Sequence, residues 1–431
     1  MLDRKFIIEN AAAVQENCVN RGVSADVAQL VALETERRET QQRVQELNTR
    51  ANEVSKSIGK ARDDTEREQR KEEGRKLREQ KEDVQKKHDD LERQIVEIQI
   101  LIPNQTHPAA PVGSDDQANL ELRQGRTSPP SFDFPVVDHV ELGERLGLLD
   151  FEGGARTTGH GFYFLKGDAV LLELALQQFA ISTLIREGFT PMVTPDLCRD
   201  EILEGVGFIP RGPETQIYSI ENSSLSLVAT AEITLGGLYS GQTLAAEDLP
   251  IKLCGISHCF RTEAGAHGRA TRGLYRVHQF TKVEMFAYTH PDDSDQTLED
   301  LCGLECRIFD ALGIPYRVVD TATGDLGGPA FRKYDLEAWM PGRGDGGAWG
   351  EVTSTSNCTD YQARRLNARF KTKGEKGTRF VHTLNGTAIA ISRAIIAILE
   401  NYQQADGSIR VPEVLQPWVG KELITPASAT A

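Results

Sequence analysis

The sequence predicts an α+β protein: an N-terminal antiparallel coiled-coil hairpin arm, followed by a catalytic body in which helices flank an antiparallel sheet. Two patterns support this. Apolar residues recur at steps of three and four through residues 30–61, and at steps of seven from Leu77 to Ile98. Farther along, long alternating apolar stretches are typical of strands joined as hairpins, which favours antiparallel pairing.

The composition describes an ordinary soluble protein with an acidic balance. Of 431 residues, 39% are hydrophobic and 26% charged, with a formal net charge of −15. No apolar run approaches the roughly 20 residues that cross a bilayer, and the first residues lack the core of a secretion signal. We therefore expect a cytoplasmic protein without a membrane partner.

The seven cysteines are scattered, which suits reduced thiols. Neither Cys254 with Cys259 nor Cys302 with Cys306 has a second well-spaced pair nearby for zinc. Buried structural cysteine is the favoured interpretation of all seven.

The first predicted domain is the arm, residues 1–102. Its helices are expected to join near RDDTEREQRKEEG, residues 62–74. Residues 34–93 carry 17 basic and 17 acidic side chains, so the net negative charge lies in the rest of the chain. Such an arm can approach a polyanion, although a solvated face with i,i+4 ion pairs explains the same charges.

The second predicted domain is the body, residues 131–431, reached through a linker at residues 103–130. That linker is rich in Pro, Ser, Asp and Asn and lacks periodicity. In the body we predict a helix over residues 168–187 and strands at FTPMVTPDL, SLSLVATAEI, KLCGISHCFRTE, YRVHQFTKVEMFAYT and YRVVDTAT. No G-x-G-x-x-G at a strand-to-helix turn and no Walker loop is present, so a bound phosphate must be held in another way.

A basic, glycine-containing loop interrupts the acidic chain in FRTEAGAHGRATRGLYRVHQFTKVE, residues 260–284. Arg261 and Glu263 lie two residues apart, and Arg276 and Phe280 four apart, so each pair shares one face of a strand. Guanidinium binds phosphate through a planar fork, and a phenyl ring can stack on a purine. The stretch predicts a nucleoside triphosphate site; a hairpin whose Arg and Glu pair only with each other is the alternative.

These residues resemble motif 2 of the class II aminoacyl-tRNA synthetases, in the form found in seryl-tRNA synthetases. The helix at 168–187 with GFTPMVTP resembles motif 1, with Pro195 at its proline, which implies a homodimer. LNGTAIAISRAIIAILENYQQADGSIRVPEVLQPW resembles motif 3 and the C-terminal signature of the serine enzymes. The helical arm stands where that family has its tRNA-binding arm, so the resemblance spans nearly the whole chain.

The resemblance implies an ATP site. Arg261 would lie at the α-phosphate, Arg276 at the outer phosphates and Arg393 at the γ-phosphate, and these three are the expected catalytic residues. Glu351 and Ser354 would ligate Mg²⁺, which prefers oxygen ligands, although a Ser/Thr-rich β-strand is the alternative for this segment. Glu263 would lie near the adenine, Val277 would contact it and Phe280 would stack on it. The further expected ATP contacts are Thr262, Val352 and Thr353.

The resemblance also implies a pocket for L-serine. Glu232 would meet the substrate's ammonium group, and Glu284 would accept a hydrogen bond from its hydroxyl. The other expected serine-binding residues are Thr230, Ala231, Arg261, Asn385 and Thr387. The sequence departs from common family patterns at Ala229 and at Ser392, which adds a side chain close to the phosphate site.

For tRNA, the resemblance implies contacts from Arg269 and Arg272 in the loop. On the arm, basic residues near the tip are the candidates: Arg67, Arg70, Lys71, Arg75 and Lys76. The implied function is ATP-dependent activation of L-serine to seryl-adenylate and its transfer to the 3′ end of tRNA(Ser), with tRNA(Sec) left open. The alternatives are a paralogue that serves another carrier and a coiled-coil interaction protein with a degenerate body.

Overall fold

The computed structural model describes residues 1–209, 216–264 and 273–426. The chain divides into two compact units, Met1–Gln105 and Thr106–Ala431. The first corresponds to the predicted arm and the second to the body. All seven cysteines are buried and free of disulfides, as expected.

The first unit is a helical arm. Its helices are α1 (Arg4–Glu9), α2 (Ala11–Asn20), α3 (Val27–Ile58) and α4 (Asp64–Leu101). The predicted coiled-coil hairpin is confirmed, since α3 and α4 pack together and bury the seam residues Leu30, Leu47, Leu77, Leu91 and Ile95. The helices join over residues 59–63, and Asp63 caps α4 by accepting a hydrogen bond from the Glu66 backbone N–H at 2.7 Å. Most of the charged stretch therefore belongs to α4.

The buried Glu34 neutralises Arg37, a basic residue at one of the seam positions within residues 30–61. Glu34 accepts hydrogen bonds from the Nε atoms of Arg37 at 2.8 Å and Arg38 at 3.0 Å. The hydrogen bond from Arg37 lowers the pKa of Glu34 although burial opposes this. The polar positions of the seam are thus paired within the arm rather than left exposed to apolar neighbours.

The second unit is built on a mostly antiparallel sheet. The described strands are β1 (Leu120–Gln124), β2 (Leu149–Asp150), β3 (Phe164–Leu165), β4 (Thr190–Val193), β5 (Leu197–Arg199), β6 (Leu225–Leu227), β7 (Thr243–Ala245), β8 (Ile251–Phe260), β9 (Gln279–Thr289), β10 (Tyr316–Asp320), β11 (Arg332–Met340), β12 (Ala348–Asn357), β13 (Arg369–Lys371), β14 (Arg379–Phe380), β15 (His382–Ala390), β16 (Ile409–Arg410) and β17 (Leu423–Ile424). Eight of these described strands form the main sheet, in the order β1-β10-β11-β12-β15-β9-β8-β4. Only its β4–β8 pair is parallel among the described pairings.

Helices and short 3-10 turns connect and cover these strands. The described helices of the body are α5 (His139–Arg145), α6 (Phe151–Thr157), α7 (Asp168–Arg186), α8 (Asp200–Val206), α9 (Ala231–Gly237), α10 (Ser294–Leu312), α11 (Tyr361–Leu366), α12 (Ile391–Asn401) and α13 (Gln416–Val419). The 3-10 turns are Asp116–Ala118, Ala246–Asp248, Pro291–Asp293, Thr323–Asp325 and Glu413–Leu415.

The central strand β9 shows how the body is layered. Successive side chains of a strand point to opposite faces. Val283 and Met285 belong to the main core, together with residues of α7, α10 and α12. Phe286 and Tyr288 belong to a second core beside α9 and α11. Glu284 shares the second face, so β9 delivers a carboxylate to the α9 side of the sheet.

Two sequence predictions differ from the fold. Residues 103–130 are not an irregular linker throughout, because β1 pairs antiparallel with β10 as the edge of the main sheet. Exposed side chains on all of β1 explain why no apolar pattern showed this strand. The strand predicted at SLSLVATAEI is shorter, β6, because Thr230 caps α9 through its hydroxyl, which accepts from the Glu232 backbone N–H at 3.2 Å.

Helix α7 is long and apolar enough, by length and composition, to cross a membrane. The sequence-based expectation that no such segment exists was therefore too strong. One such helix is weak evidence for a membrane span, because a core helix passes the same test. Leu172, Leu176 and Leu184 of α7 are buried in the main core, which makes a core role the better account of this face.

Candidate active site

Four sequence-distant segments meet around a cavity of about 220 Å³. The end of β8, the start of β9, strand β12 and the junction of β15 with α12 supply its walls. Of the residues expected to bind ATP, Thr262 alone is not among the described lining residues. The cavity is lined by Arg261, Glu263, Tyr275, Arg276, Val277, Phe280, Lys282, Glu351, Val352, Thr353, Ser354, Thr387, Ala390, Ser392 and Arg393.

Arg261 lies just beyond the end of β8 and stacks near Phe280. Its guanidinium carbon is 5.3 Å from the centre of the Phe280 ring, and its Nε donates to the Ala229 carbonyl at 3.4 Å. Phe280 lies on β9 opposite Cys259. A cation and a ring held this way offer one ligand both a phosphate contact and a stacking surface.

The prediction that Arg261, Glu263 and Arg276 lie on strands was wrong. Strand β8 ends at Phe260 and β9 begins at Gln279, so all three lie in the connecting chain. Glu263 has a φ of 52°, a conformation that takes the chain out of extended geometry. The three side chains still reach the same cavity, because the paired strands bring both ends of the connection together.

Glu263 and Arg276 form an ion pair across the cavity. Nη1 of Arg276 lies 2.6 Å from Oε2 of Glu263. The two side chains are 17% and 35% exposed for Glu263 and Arg276, respectively. The Arg–Glu pairing that we gave as the alternative to ligand binding is therefore present in this structure. Because the Arg276 side chain remains partly exposed, it can still meet an anion in the cavity.

Arg393 lies in the first turn of α12 and lines the cavity. Its Nη1 donates to the Glu351 carbonyl at 2.9 Å and lies 3.2 Å from the Glu351 carboxylate. Burial acts to raise the pKa of Glu351, but the charges of Arg393, Lys333 and Arg261 outweigh it and lower the pKa to about 2. Glu351 is therefore ionised at neutral pH, and its side chain, 41% exposed, can meet a cation.

Tyr275 is a lining residue that the sequence did not suggest. Its ring lies between two guanidinium groups, with Arg343 at 4.4 Å and Arg393 at 4.7 Å from its centre. Stacking on an aromatic face is favourable for guanidinium. An aromatic residue directly before Arg276 was the available signal, but nothing in the sequence showed that Arg343 approaches it.

A second group of polar residues, called the serine-site cluster below, surrounds the buried Glu232 on α9 beside this cavity. Glu232 accepts hydrogen bonds from Nε2 of Gln362 at 2.8 Å and from Nδ2 of Asn385 at 3.2 Å. Burial raises the pKa of Glu232 to about 7, and the nearby charge of Glu284 adds to the effect. Gln362 was missed in the sequence, because a glutamine on a helix carries no pattern of its own.

Glu284 is held by three partners beside Glu232. Its Oε2 lies 2.6 Å from Nζ of Lys282 and accepts from Oγ1 of Thr387 at 3.2 Å. Nδ2 of Asn385 lies 3.5 Å from its other oxygen. Side chains of Lys282 and Glu284 are 7% and 1% exposed. The serine-site cluster thus concentrates two carboxylates and one ammonium group, and it brings together the predicted residues Glu232, Glu284, Asn385 and Thr387.

The donors expected to hold Mg²⁺ fit a hard cation. Glu351 and Ser354 both line the cavity, and they offer a carboxylate and a hydroxyl oxygen. Among the described residues no group of three or more His, Cys, Asp or Glu side chains is arranged to hold a metal alone. This suits Mg²⁺ bound through one or two protein oxygens, since that ion keeps waters and takes substrate phosphates as its other ligands.

The residues expected to bind tRNA fall into two groups. Arg269 and Arg272 lie outside the described residues. On α4, Lys71 pairs with Glu68 at 2.6 Å and Arg75 with Glu72 at 3.2 Å. Arg70 pairs with Glu66 and also donates to the Ser57 carbonyl of α3.

Three of the arm candidates thus have acidic neighbours, and Arg70 also connects the two helices. Sequence alone could not distinguish such local pairs from a binding surface. Arg67 and Lys76 are exposed.

Comparisons with known proteins identify the class to which the fold belongs. The family model "Seryl-tRNA synthetase N-terminal domain" matches residues 1–106, and "tRNA synthetase class II core domain (G, H, P, S and T)" matches residues 216–402. In structure, the chain matches a seryl-tRNA synthetase from Pyrococcus horikoshii complexed with ATP. That match has a TM-score of 0.92 at 38% identity and covers 99% of this chain and 100% of the other. Fold and cavity together define a class II aminoacyl-tRNA synthetase.

Sequence relatives identify the family within this class. The serine–tRNA ligase of Rhodopirellula baltica is 63% identical over 424 residues, which are 98% of this chain and 99% of that protein. The serine–tRNA ligase of Rubrobacter xylanophilus is 55% identical over 430 residues, 99% of this chain and 100% of the relative. The chain belongs to the seryl-tRNA synthetase family, the serine–tRNA ligases.

The raised pKa of Glu232 gives a prediction for stability. The folded protein keeps a proton on Glu232 up to about pH 7, whereas an unfolded glutamate releases it near pH 4.3. The free energy of unfolding should therefore fall as pH rises from about 5 to about 7, by on the order of 1–3 kcal/mol through this group. Glu232→Gln should remove that part of the slope in urea unfolding measured at pH 5 to 8.

Glu375→Gln, at an exposed position, is the matched control and should keep the wild-type slope. Parallel curves for wild type and Glu232→Gln would contradict the assignment of the proton to Glu232.

Proposed function

We propose that the 220 Å³ cavity binds ATP, that the serine-site cluster at Glu232 and Glu284 binds L-serine, and that the chain forms seryl-adenylate and transfers serine to the 3′ end of tRNA(Ser). One observation carries the proposal. The guanidinium groups of Arg261 and Arg276, from the two ends of the β8–β9 connection, and of Arg393, from α12, line one cavity. Lys282 and Thr387 line the same cavity and also contact Glu284. The neighbouring carboxylates of Glu232 and Glu284 suit an ammonium group.

Activation of serine needs charge neutralisation and positioning more than covalent chemistry. The serine carboxylate attacks the α-phosphorus in line, and pyrophosphate leaves. Arg261 stabilises the α-phosphate, while Arg276 and Arg393 bind the outer phosphates once their pairs with Glu263 and Glu351 rearrange. Cations that are already positioned in a partly buried site stabilise developing charge strongly once those pairs have exchanged.

The adenine is proposed to stack on Phe280. The ring already lies beneath the Arg261 guanidinium, so the base and the α-phosphate would be bound by neighbouring groups. Val277 is proposed to contact the base through its main chain and Glu263 to lie near its amino group. When bound, Mg²⁺ held by Glu351 and Ser354 would supply electrostatic neutralisation of the phosphates.

Selection of serine is proposed to depend on Glu284 and Thr387. Their hydrogen bond of 3.2 Å places a carboxylate and a hydroxyl where a small substrate hydroxyl can join them. An amino acid without a hydroxyl would leave these buried groups incompletely paired, which is a strong penalty. Glu232, ionised when it binds the substrate's ammonium group, would fix the other end of the molecule.

For tRNA we propose that the arm binds the tRNA and that the loop with Arg269 and Arg272 contacts its acceptor end. Residues 34–93 carry no net charge, so the arm itself does not repel a polyanion as the acidic remainder of the chain does. Arg67 and Lys76 are the preferred arm contacts, because both are exposed and neither forms an ion pair among the described residues, whereas Arg70, Lys71 and Arg75 each pair with a glutamate.

We further propose a cytoplasmic homodimer formed through α7. The helix buries one face in the core, while its opposite face leaves apolar side chains in water: Val170, Leu171, Leu174 and Ile185 are 41%, 38%, 57% and 50% exposed. A contiguous exposed apolar surface usually marks an association site. A second copy of the same helix would cover it by two-fold symmetry.

Serine-dependent ATP–pyrophosphate exchange tests the proposed function, followed by charging of tRNA. We expect exchange with serine and much weaker exchange with glycine, alanine or threonine. A preference for any of these over serine would reject the amino-acid assignment. Exchange without tRNA charging would favour a paralogue that serves another carrier, and absence of exchange would favour an interaction protein.

Substitution of Arg261, compared with substitution of Arg269 and Arg272, should distinguish serine activation from transfer to tRNA. Arg261→Ala should abolish exchange and charging together, because it removes the α-phosphate contact. The double change Arg269→Ala with Arg272→Ala should lower kcat/KM for tRNA at least about tenfold while exchange stays within about twofold of wild type. Equal losses in both assays for the double variant would show that the loop serves ATP instead.

The dimer proposal gives a size prediction. Leu174→Glu should convert the protein to a monomer in light scattering coupled to size exclusion, because it places a charge in the centre of the apolar face. Leu120→Glu, at a leucine on β1 that is 55% exposed, should leave the dimer intact. A dimer that survives Leu174→Glu, or a wild type that is monomeric, would place the contact elsewhere or remove it.

A further inference from the structure

A buried histidine and a buried glutamate lie beside the proposed ATP cavity; Glu400 falls within the stretch that resembles motif 3, but neither residue has been given a role so far. His139 begins α5 and Glu400 lies near the end of α12, and they are 7% and 1% exposed. Nδ1 of His139 is 2.8 Å from Oε1 of Glu400, and the His139 backbone N–H donates to the same oxygen at 3.1 Å. The other oxygen accepts from the Gly342 backbone N–H at 2.9 Å.

These contacts fix the tautomer of the ring. An ionised carboxylate can only accept, so Nδ1 must carry the proton that it donates to Glu400. Nε2 of His139 then offers a lone pair, and the backbone N–H of Leu274 donates to it at 3.1 Å. The neutral ring therefore joins α12 to the chain that leaves the basic loop.

The backbone approaches His139 so closely that only glycine fits. Gly273 has a φ of 81°, and a Cβ atom there would lie 2.1 Å from Nε2 of His139. A Cβ on Gly342 would lie 2.6 Å from the Cα of Asp138. Two loops thus pack directly on the start of α5, and both are fixed by the same histidine–glutamate pair.

The pair lies immediately behind residues of the ATP cavity. Leu274 is followed by Tyr275, whose ring stacks on Arg393, and by Arg276, which pairs with Glu263. Arg393 and Glu400 are seven residues apart on α12, two turns of one helix face. His139, Glu400, Tyr275 and Arg343 line a common cavity of about 120 Å³, so the Tyr275 side chain has room to move if Leu274 is displaced.

We propose that His139 and Glu400 are positioning residues for ATP: they fix the backbone at Leu274 and so set Tyr275 against Arg393 and Arg276 at the cavity wall beside Glu263. The inference rests on the ATP site proposed above. It assigns no contact with substrate to the pair. The hydrogen bond from the Leu274 N–H to Nε2 is the element that transmits the effect, and Glu400 acts by holding the ring in the tautomer that accepts it.

Two substitutions at one position separate the two ring nitrogens. The Asn amide lies the same number of bonds from Cβ as Nδ1, and the Gln amide the same number as Nε2. His139→Asn therefore keeps a donor for Glu400 and loses the acceptor for Leu274, whereas His139→Gln keeps an acceptor for Leu274. In pyrophosphate exchange, we expect His139→Asn to raise the KM for ATP about fivefold to tenfold, the worth of one hydrogen bond.

His139→Gln should restore the KM for ATP to within about twofold of wild type, and neither variant should change the KM for serine by more than about twofold. A purely structural role would shift both substrates together or affect both variants alike. Either result, or an unchanged KM for ATP in His139→Asn, would overturn the proposal.

A variant in the loop covers the case in which the histidine variants do not fold. Gly273→Ala presses on the same ring from the opposite side and should also raise the KM for ATP without changing the KM for serine; equal KM values would overturn the proposal. Calorimetric titration with ATP alone distinguishes failure of the proposed function from failure of the positioning role of His139 and Glu400. A wild type that binds ATP but shows no serine-dependent exchange would reject the proposed function, while the variants' ATP affinities would still decide the role of the pair.

Discussion

A permanent positive charge at the start of α12 is the constraint on which the arrangement of the site depends. Strand β15 runs directly into α12, so the Arg393 side chain, 21% exposed, is held against the sheet. A guanidinium group cannot release its proton, and its burial therefore requires acceptors. Burial disfavours the charge, but Glu351 outweighs this and raises the pKa of Arg393; the Tyr275 ring covers its face.

The compensation of this charge also prepares the cavity for its ligand. Glu351 is paired with Arg393, and Glu263 is paired with Arg276. Each cation is thus satisfied without substrate, yet each pair remains partly exposed at the cavity wall. In the proposed ATP complex, phosphates would replace the carboxylates as partners of the arginines, and the released Glu351 carboxylate would be available to a cation.

The serine-site cluster, the group of residues around Glu232 and Glu284 proposed above to bind serine, shows the same need for charge compensation, here for negative charge. Glu232 and Glu284 lie close together with Lys282 as the neighbouring cation. Two ionised carboxylates and one ammonium group leave one negative charge without compensation, and burial makes that charge costly. The ammonium group of an amino acid would supply the missing charge, which explains why a carboxyl with a raised pKa is useful at a substrate-binding position.

The sequence by itself determined the elements whose signal is local: the heptad spacing specified α3 and α4, and alternation specified β8 and β9. It also brought Arg261, Glu263, Arg276 and Phe280 to one site, because residues flanking a hairpin must meet. Other features depend on partners that are distant in the chain and are seen only in the folded protein. The exposed strand β1 forms by pairing with β10. The roles of Gln362 and Tyr275 follow from their contacts with Glu232 and with Arg343 and Arg393. Burial and hydrogen bonding between remote segments leave no periodic trace in a single sequence, which is why His139 and Glu400 became visible only in the folded chain.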